Sequence, residues 1–324
     1  MRELIVHKND AGQRLDKFLT KAVPSLPMSM LYKSVRLKKI KVNRARTEPG
    51  YILSEGDHIL LFISEDFFAD TKAGSDALKR IKPNLSVLYE DKRIMLLNKA
   101  PGILVHDDKE GNENTLISHV KAYLCQKGEY IPEEEQSFAP ALCNRIDRNT
   151  GGIVIAAKTA EALRDMNEII RNDDISKYYI CLVHGKMQKT EDTLTAYLRK
   201  DEKHNQVTVT DRELPGSKKI VTRYELLDYK DNKSLLRIEL VTGRTHQIRA
   251  HMAYVGHPLV GDGKYGVNRA DRAGGFKYQA LYAYRLAFHK SFTCGATCLD
   301  DLRGRSFEIP LEDIWFSPDL PKLL

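Results

Sequence analysis

The sequence has few of the features that mark disulfide-bonded, membrane-spanning or nucleotide-binding proteins. Its 324 residues contain five scattered cysteines, an odd number that favours reduced thiols inside a cell over a disulfide framework. No apolar run approaches the roughly 18 residues that a membrane-spanning helix needs, and residues 1–4 do not look like the start of a signal peptide. Neither a P-loop nor a G-x-G-x-x-G pattern occurs. We therefore expect a soluble, cytoplasmic protein without a phosphate-binding loop.

Positive charge is present in excess and is concentrated near the N-terminus. The formal charge is +7 and the pI is about 9.0. Residues 1–63 hold 12 Lys and Arg against 6 Asp and Glu, a surplus of 6, which leaves +1 for the other 261 residues. Residues 33–46 contain no acid at all. A patch of one sign is typical of phosphate-backbone binding, although a solvated basic surface without a ligand is the plain alternative.

The first 63 residues show the pattern of two helices followed by strands. Leu15, Phe18 and Leu19 repeat at helical spacing. Met30, Leu31, Ser34, Val35 and Leu37 indicate a second helix with its basic residues on the outer side, and residues 40–43 and 59–62 alternate as strands. With the motif Arg-Leu-Asp-Lys-Phe-Leu at 14–19, this pattern resembles the S4 RNA-binding fold. The resemblance implies RNA contacts from Arg14, Lys33, Arg36, Lys38, Lys39, Lys41 and Arg44.

Residues 64–84 lack periodicity and are predicted to be a flexible tether. From residue 85 to 324, short strand patterns outnumber helical ones and do not alternate with them as βαβ units. Leu163, Met166 and Ile170 lie on one helical face after Thr159, a residue that often begins a helix. We therefore predict an α+β fold for this larger domain, built around a largely antiparallel mixed sheet.

One turn of the larger domain places a carboxylate between two arginines. Residues 144–152 read Asn-Arg-Ile-Asp-Arg-Asn-Thr-Gly-Gly and run into the apolar strand pattern of 153–157. Cationic neighbours favour the charged form of such a carboxylate, and a rigid strand would aim it. An ordinary turn, with Asp147 capping the backbone, is the alternative.

Three further segments, 98–106, 177–185 and 242–266, accompany this turn. The four segments closely resemble, in order and spacing, the signature segments of the RluA-type pseudouridine synthases. Asn144 and Gly151 stand where that family often has His and Ser. The resemblance implies a pseudouridine synthase-like catalytic domain over residues 85–324 that breaks the N1–C1′ bond of an RNA uridine and joins C5 to C1′. This chemistry needs no metal, redox cofactor or nucleotide.

The resemblance also assigns roles to individual residues. Asp147 matches the catalytic aspartate, Arg249 its salt-bridge partner and Tyr179 the active-site tyrosine; whether Asp147 is a nucleophile or a base stays open. Without the resemblance, Arg249 could be a surface arginine and Tyr179 a core residue. Arg145 matches the arginine that helps to extrude the target nucleotide. Further substrate contacts are expected from His106, Arg148, Thr150, Arg244 and His246.

Other functions are possible for such a chain. An inactive synthase scaffold could serve as an RNA-binding or ribosome-assembly factor, and a glycoside hydrolase would normally need a second carboxylate. A metal site at His246, His251 and His257 lacks acidic or Cys partners at ligand spacing. We expect a monomer that binds RNA, ribosomal RNA more than transfer RNA, and neither a membrane nor a metal ion.

Overall fold

The computed structural model describes residues 1–68, 78–106, 114–201 and 206–316. It has an α+β architecture with one small and one large β-sheet. Part of the predicted tether, residues 69–77, and the end of the predicted larger domain, residues 317–324, lie outside the described residues. Within those described, no helix has both the length and the apolar character required to cross a bilayer.

The small sheet and two helices form the N-terminal unit. The helices are α1 (Leu15–Ala22) and α2 (Met28–Arg36), and the strands are β1 (Arg2–Ile5), β2 (Ile40–Val42), β3 (Ala45–Arg46) and β4 (His58–Leu61). The strands pair antiparallel in the order β1-β4-β2-β3. The sequence patterns predicted both helices and missed β1. Leu31, Ser34 and Val35 of α2 are buried, whereas Met30 and Leu37 are 41% and 52% exposed and do not join the predicted apolar face.

The large sheet has eleven strands. They are β5 (Val87–Glu90), β6 (Ile94–Lys99), β7 (Ala141–Leu142), β8 (Gly151–Ala157), β9 (Ile175–His184), β10 (Glu191–Asp201), β11 (Gln206–Thr210), β12 (Lys218–Lys230), β13 (Lys233–Leu240), β14 (Leu281–Phe288) and β15 (Ser306–Glu308). Their order is β11-β10-β12-β13-β9-β14-β8-β6-β5, with β15 paired to β14 and β7 to β8. The β14–β8 pair is parallel, and the other paired strands of this sheet run antiparallel.

Helices cover both faces of the large sheet. They are α3 (Leu116–Gln126), α4 (Ala160–Arg171), α5 (Gln247–Tyr254) and the short α6 (Arg269–Ala273), with 3-10 turns at Glu65–Phe68, Asp300–Leu302 and Leu311–Asp313. Strand β8 shows the two faces, because Ile153 and Ile155 pack into one apolar cluster with α4 while Val154 and Ala156 pack into another with α3 and α5. Thr159 begins α4 as predicted, and its hydroxyl accepts a hydrogen bond from the Ala162 N–H.

Polar contacts hold the N-terminal unit against the larger one. Asn9 donates to Glu135 at 2.7 Å, and Gln13 donates to Ser137 at 2.7 Å. The Arg164 guanidinium, on α4, donates to the Ala11 carbonyl at 3.0 Å. These bonds join residues 9–13 to the segment before β7 and to α4.

Candidate active site

The turn that carries Asp147 is fixed at its base. The Thr150 N–H donates to the Asp147 carbonyl at 3.0 Å, and the buried Lys99 ammonium donates to the Arg148 carbonyl at 2.9 Å. Lys99 also donates to the carbonyls of Ala100 and Ile103, both at 3.0 Å. Burial lowers the pKa of Lys99 to about 7, while the charge of Asp147 acts in the opposite direction. Lys99 therefore ties the end of β6 to the turn, a role that the sequence did not reveal.

The two glycines after the turn are required by packing. A Cβ on Gly151 would lie 2.3 Å from the ring of Tyr282, and one on Gly152 would lie 2.2 Å from the Ala283 carbonyl oxygen. Gly152 also has a φ of +119°, which favours glycine. These close approaches bring β8 alongside β14 and so set where the turn emerges.

Arg249, on α5, joins Asp147 to a second carboxylate. Its Nη1 donates to Asp147 Oδ2 at 2.8 Å, while Nε and Nη2 donate to the two oxygens of Asp262 at 2.8 and 2.9 Å. Arg249 is 8% exposed, and the Asp147 side chain is 25% exposed. Burial acts to lower the pKa of Arg249, but the hydrogen bonds and charges of Asp262 and Asp147 outweigh it and raise the pKa. The guanidinium is therefore a permanent cation held between two carboxylates.

Asp262 is the partner that the sequence analysis missed. It is 1% exposed, and its Oδ1 also accepts the N–H groups of Lys264 and Tyr265 at 2.8 and 3.3 Å. Burial acts to raise the pKa of this carboxyl, but Arg249 and the backbone donors bring it below its usual range. The Gly-Asp pair at 261–262 was part of the family resemblance, but no local pattern indicated that its carboxylate meets Arg249.

Tyr179 is both a core residue and a wall of the site. It lies on β9 in the apolar cluster that includes Ile146 and Ile248, and it lines the same cavity as Asp147. Burial, and secondly the charge of Asp147, raises the pKa of its hydroxyl. The phenol is therefore neutral and presents an apolar ring beside the carboxylate.

His246 stands directly before α5. The helix begins at Gln247, because His246 takes a left-handed backbone with φ 54°. Gln247 anchors this start through bonds from its amide to the Val221 carbonyl and the Thr222 hydroxyl, both at 3.0 Å. The His246 Nε2 lies 3.8 Å from Asp147 Oδ2. Burial lowers the pKa of this imidazole, while Asp147 acts to raise it.

A cavity of about 1180 Å³ brings the predicted site residues together. It is lined by Asp147, Arg249, Tyr179, Arg145, Arg148, Thr150, His106, Arg244 and His246. Arg145 and Arg244 are exposed. The buried Thr150 hydroxyl accepts a hydrogen bond from Gln279 at 3.1 Å, so it supports the wall of the cavity.

The cavity is strongly basic. Among the described residues, its lining includes one acid, Asp147, and eight cationic residues: Arg145, Arg148, Lys177, Arg244, Arg249, Lys264, Arg272 and Lys277. The near-neutral charge of residues 64–324 concealed this cluster, because a sum over a long segment does not show where cations gather. Four of the eight, Lys177, Lys264, Arg272 and Lys277, were not among the predicted site residues.

The predicted RNA-binding residues of the N-terminal unit do not line this cavity. Lys33, Arg36, Lys38, Lys39 and Arg44 are exposed. Lys41 is half-buried with its ammonium 5.7 Å from the centre of the Phe62 ring. Arg14 differs from the others, because its guanidinium forms two hydrogen bonds to Asp16 at 2.8 and 3.1 Å.

The histidines named for a metal site have other partners. His251 Nδ1 lies 3.0 Å from the Thr222 hydroxyl, and His257 Nδ1 lies 2.9 Å from the His184 carbonyl. Over the described ranges, no group of three or more His, Cys, Asp or Glu side chains could hold a metal ion.

Comparison with known proteins gives two family matches. Residues 93–254 match the RNA pseudouridylate synthase family, and residues 13–59 match the S4 domain. An uncharacterized RNA pseudouridine synthase of Mycoplasma genitalium is 34% identical over 295 residues, which are 89% of each chain. The ribosomal large subunit pseudouridine synthase C of Escherichia coli is 33% identical over 265 residues, 82% of this chain and 79% of that protein. In structure, human RNA pseudouridylate synthase domain containing 1 superposes with a TM-score of 0.52 at 19% identity, over 74% of this chain and 98% of its own.

Proposed function

This chain belongs to the RNA pseudouridylate synthase family, and from that premise we propose that Asp147 is its catalytic group and large-subunit ribosomal RNA its substrate. The observation that carries the proposal is that Asp147, the one acid among the described residues that line a basic cavity, accepts a hydrogen bond from a buried guanidinium at 2.8 Å. An RNA substrate has phosphates that the cationic side chains of this lining can bind, and it has a ribose on which the carboxylate can act.

The reaction exchanges one bond to the ribose for another. The N1–C1′ bond breaks and its electron pair leaves with the uracil, which turns within the cavity. C5 then bonds to C1′, the C5 proton is lost, and N1 takes up a proton, so that the product is an isomer of the substrate. Asp147 acts either by bonding to C1′, a bond that breaks when C5 attacks, or by removing a sugar proton that later returns. In both cases Arg249 supplies a fixed counter-charge that needs no solvent reorganisation during the reaction.

In this proposal Tyr179 contacts the flipped base, and Arg145 fills the position that the base leaves in the RNA. A uracil flipped out of the RNA can stack on the buried Tyr179 ring, which is worth about 1–3 kcal/mol. Flipping costs a few kcal/mol, so stacking together with phosphate contacts can offset it. Arg145 is exposed beside the carboxylate and is suited to fill the vacated position. His106, Arg148, Arg244 and His246 complete the proposed substrate contacts.

The N-terminal unit supplies further RNA affinity in this proposal. We assign residues 1–63 to an S4-like RNA-binding domain, 64–84 to a linker and 85–324 to the catalytic domain. The exposed lysines and arginines of residues 33–44 then bind phosphates outside the cavity. The assignment to large-subunit ribosomal RNA follows several relatives named ribosomal large subunit pseudouridine synthase C.

Release of tritium from RNA labelled at uridine C5 tests the substrate. Purified protein is incubated separately with unmodified transcripts of large-subunit RNA, small-subunit RNA and transfer RNA. We expect release from the large-subunit transcript alone, at a small number of positions that sequencing can map. Release from transfer RNA and none from the large-subunit transcript would contradict the substrate assignment and leave the enzyme class intact.

A further inference from the structure

The Tyr265 hydroxyl lies between the Val207 N–H and the His246 ring, and it has no role in the reaction described above. It accepts a hydrogen bond from the Val207 N–H at 3.1 Å and lies 2.8 Å from His246 Nδ1. Its ring lies 5.3 Å from the Arg249 guanidinium, and it meets the His246 ring edge-on with centroids 5.6 Å apart. Tyr265 therefore contacts both residues that face Asp147.

These contacts select one tautomer of His246. The Val207 N–H can only donate, so the Tyr265 oxygen accepts from it and has its own proton left to give. Among the described residues, His246 Nδ1, 2.8 Å from the hydroxyl oxygen, is placed to accept that proton. Nδ1 is then unprotonated, and in the neutral ring the proton sits on Nε2.

The position of Asp147 selects the same tautomer independently. His246 Nε2 faces the Asp147 carboxylate at 3.8 Å. An unprotonated Nε2 would set a lone pair against a negative oxygen, whereas Nε2–H turns a donor toward it. Because burial lowers the pKa of His246, a neutral ring with one proton is the species to consider.

We propose that Tyr265 and His246 are positioning residues: Tyr265 holds His246 with Nε2–H toward Asp147, so that the carboxylate has a second donor besides Arg249. The distance of 3.8 Å exceeds hydrogen-bond range, and catalytic hydrogen bonds are often long before the substrate binds and shorten in the complex. Protonated Nε2 cannot accept the C5 proton, so His246 acts as a donor and not as the base. The catalytic part of this inference rests on the proposed role of Asp147; the tautomer does not.

Nitrogen NMR of ¹⁵N-histidine protein measures the tautomer directly. In the wild type we expect an unprotonated Nδ1 and a protonated Nε2 for His246, with the signals assigned by their loss in His246→Gln. In Tyr265→Phe, which keeps the ring on Arg249 and removes the hydroxyl, Nδ1 should become partly protonated. Tyr123→Phe is the matched control. The hydroxyl that it removes does not line the cavity and donates to Glu90 at 2.9 Å. A protonated Nδ1 in the wild type would overturn the tautomer assignment, and no change in Tyr265→Phe would overturn the role of Tyr265 in holding His246.

A double-variant cycle on single-turnover rates tests how Tyr265 acts. Tyr265→Phe should slow pseudouridine formation about tenfold or more at unchanged RNA affinity, and His246→Gln should slow it at least as much. The double variant should be no slower than His246→Gln alone, because Tyr265 acts through His246. Independent, multiplying losses would refute this coupling. If the tautomer result holds while Asp147→Asn remains active, the catalytic role of Asp147 fails and the tautomer assignment stands.

Discussion

Replacing Arg249 with Met should separate its structural role from its functional one. The change removes three hydrogen bonds and leaves the fully buried Asp262 carboxylate without a counter-charge. Breaking a buried ion pair in this way costs about 3–5 kcal/mol of the free energy of unfolding, a large part of the roughly 5–15 kcal/mol that holds a typical domain together. Turnover should fall at least about 100-fold, because Asp147 loses the donor that holds it in place.

Adding Asp262→Asn to this variant should restore stability without restoring activity. The amide oxygen can still accept the N–H groups of Lys264 and Tyr265, and position 262 no longer carries a buried charge. We expect recovery of roughly half the lost stability, about 2 kcal/mol.

Urea unfolding and C5-tritium release measure the two effects on the same preparations. Arg223→Met is the matched control, since its exposed guanidinium pairs with Glu239 and should contribute less than about 1 kcal/mol. Recovery of turnover in the double variant would refute the role of Arg249 toward Asp147. A loss below about 1 kcal/mol in Arg249→Met would refute the buried ion pair.

Three further changes test other parts of the structure. Neutralising the three lysines Lys38, Lys39 and Lys41 to Gln should reduce the slope of log affinity against log salt by roughly 0.7 for each lost phosphate contact, measured by RNA titration at several salt concentrations. Gly151→Ser should lower the free energy of unfolding by about 1–3 kcal/mol, because its Cβ would lie 2.3 Å from the Tyr282 ring; Tyr282→Leu in the same chain should recover part of it. Burial lowers the pKa of His251 to about 4 from the ordinary 6.5; the unfolded chain therefore takes up this proton first as the pH falls. Between pH 6.5 and pH 4 the wild type should lose about 3 kcal/mol more than His251→Gln in urea titrations.

Each of these has a control or an outcome that contradicts it. For the lysines, the control is the triple variant of Lys186, Lys189 and Lys230, which lie outside the cavity and should leave the salt slope unchanged; an unchanged slope in the first triple would mean that its lysines face away from RNA. Gly151→Ser as stable as the wild type would show that Tyr282 moves freely. Parallel pH curves for the wild type and His251→Gln would show that His251 is not buried neutral.

Local patterns predicted those elements whose determinants lie within a few residues. Thr159 begins α4 because its hydroxyl reaches the N–H three residues on, a spacing visible in the sequence. The strand β1 was missed because four residues carry little signal, and its partner β4 lies more than fifty residues away. The exposed Leu37 shows the limit of periodicity, since α2 ends at Arg36 and the chain turns before that side chain can pack.

The site was foreseeable only where family resemblance supplied long-range information. Nothing near Arg249 in the sequence says which carboxylates it meets, and the chain returns to it through Asp262 and Tyr265 only after α5 ends. The sequence showed that Gly151 stands where the family often has Ser, but not that the Tyr282 ring on β14, 131 residues further on, leaves no room for a Cβ there. Such contacts depend on the tertiary fold and leave no local pattern.

Whether Asp147 is the catalytic group is decided by measuring both RNA binding and turnover in Asp147→Asn. The amide keeps the size of the carboxylate and removes its charge, so we expect RNA affinity close to that of the wild type and C5-tritium release lowered by at least about 1000-fold. Asp192→Asn, on a surface carboxylate paired with Lys189, should match the wild type in both measurements. An Asp147→Asn enzyme that binds RNA and turns over at the wild-type rate would contradict the account.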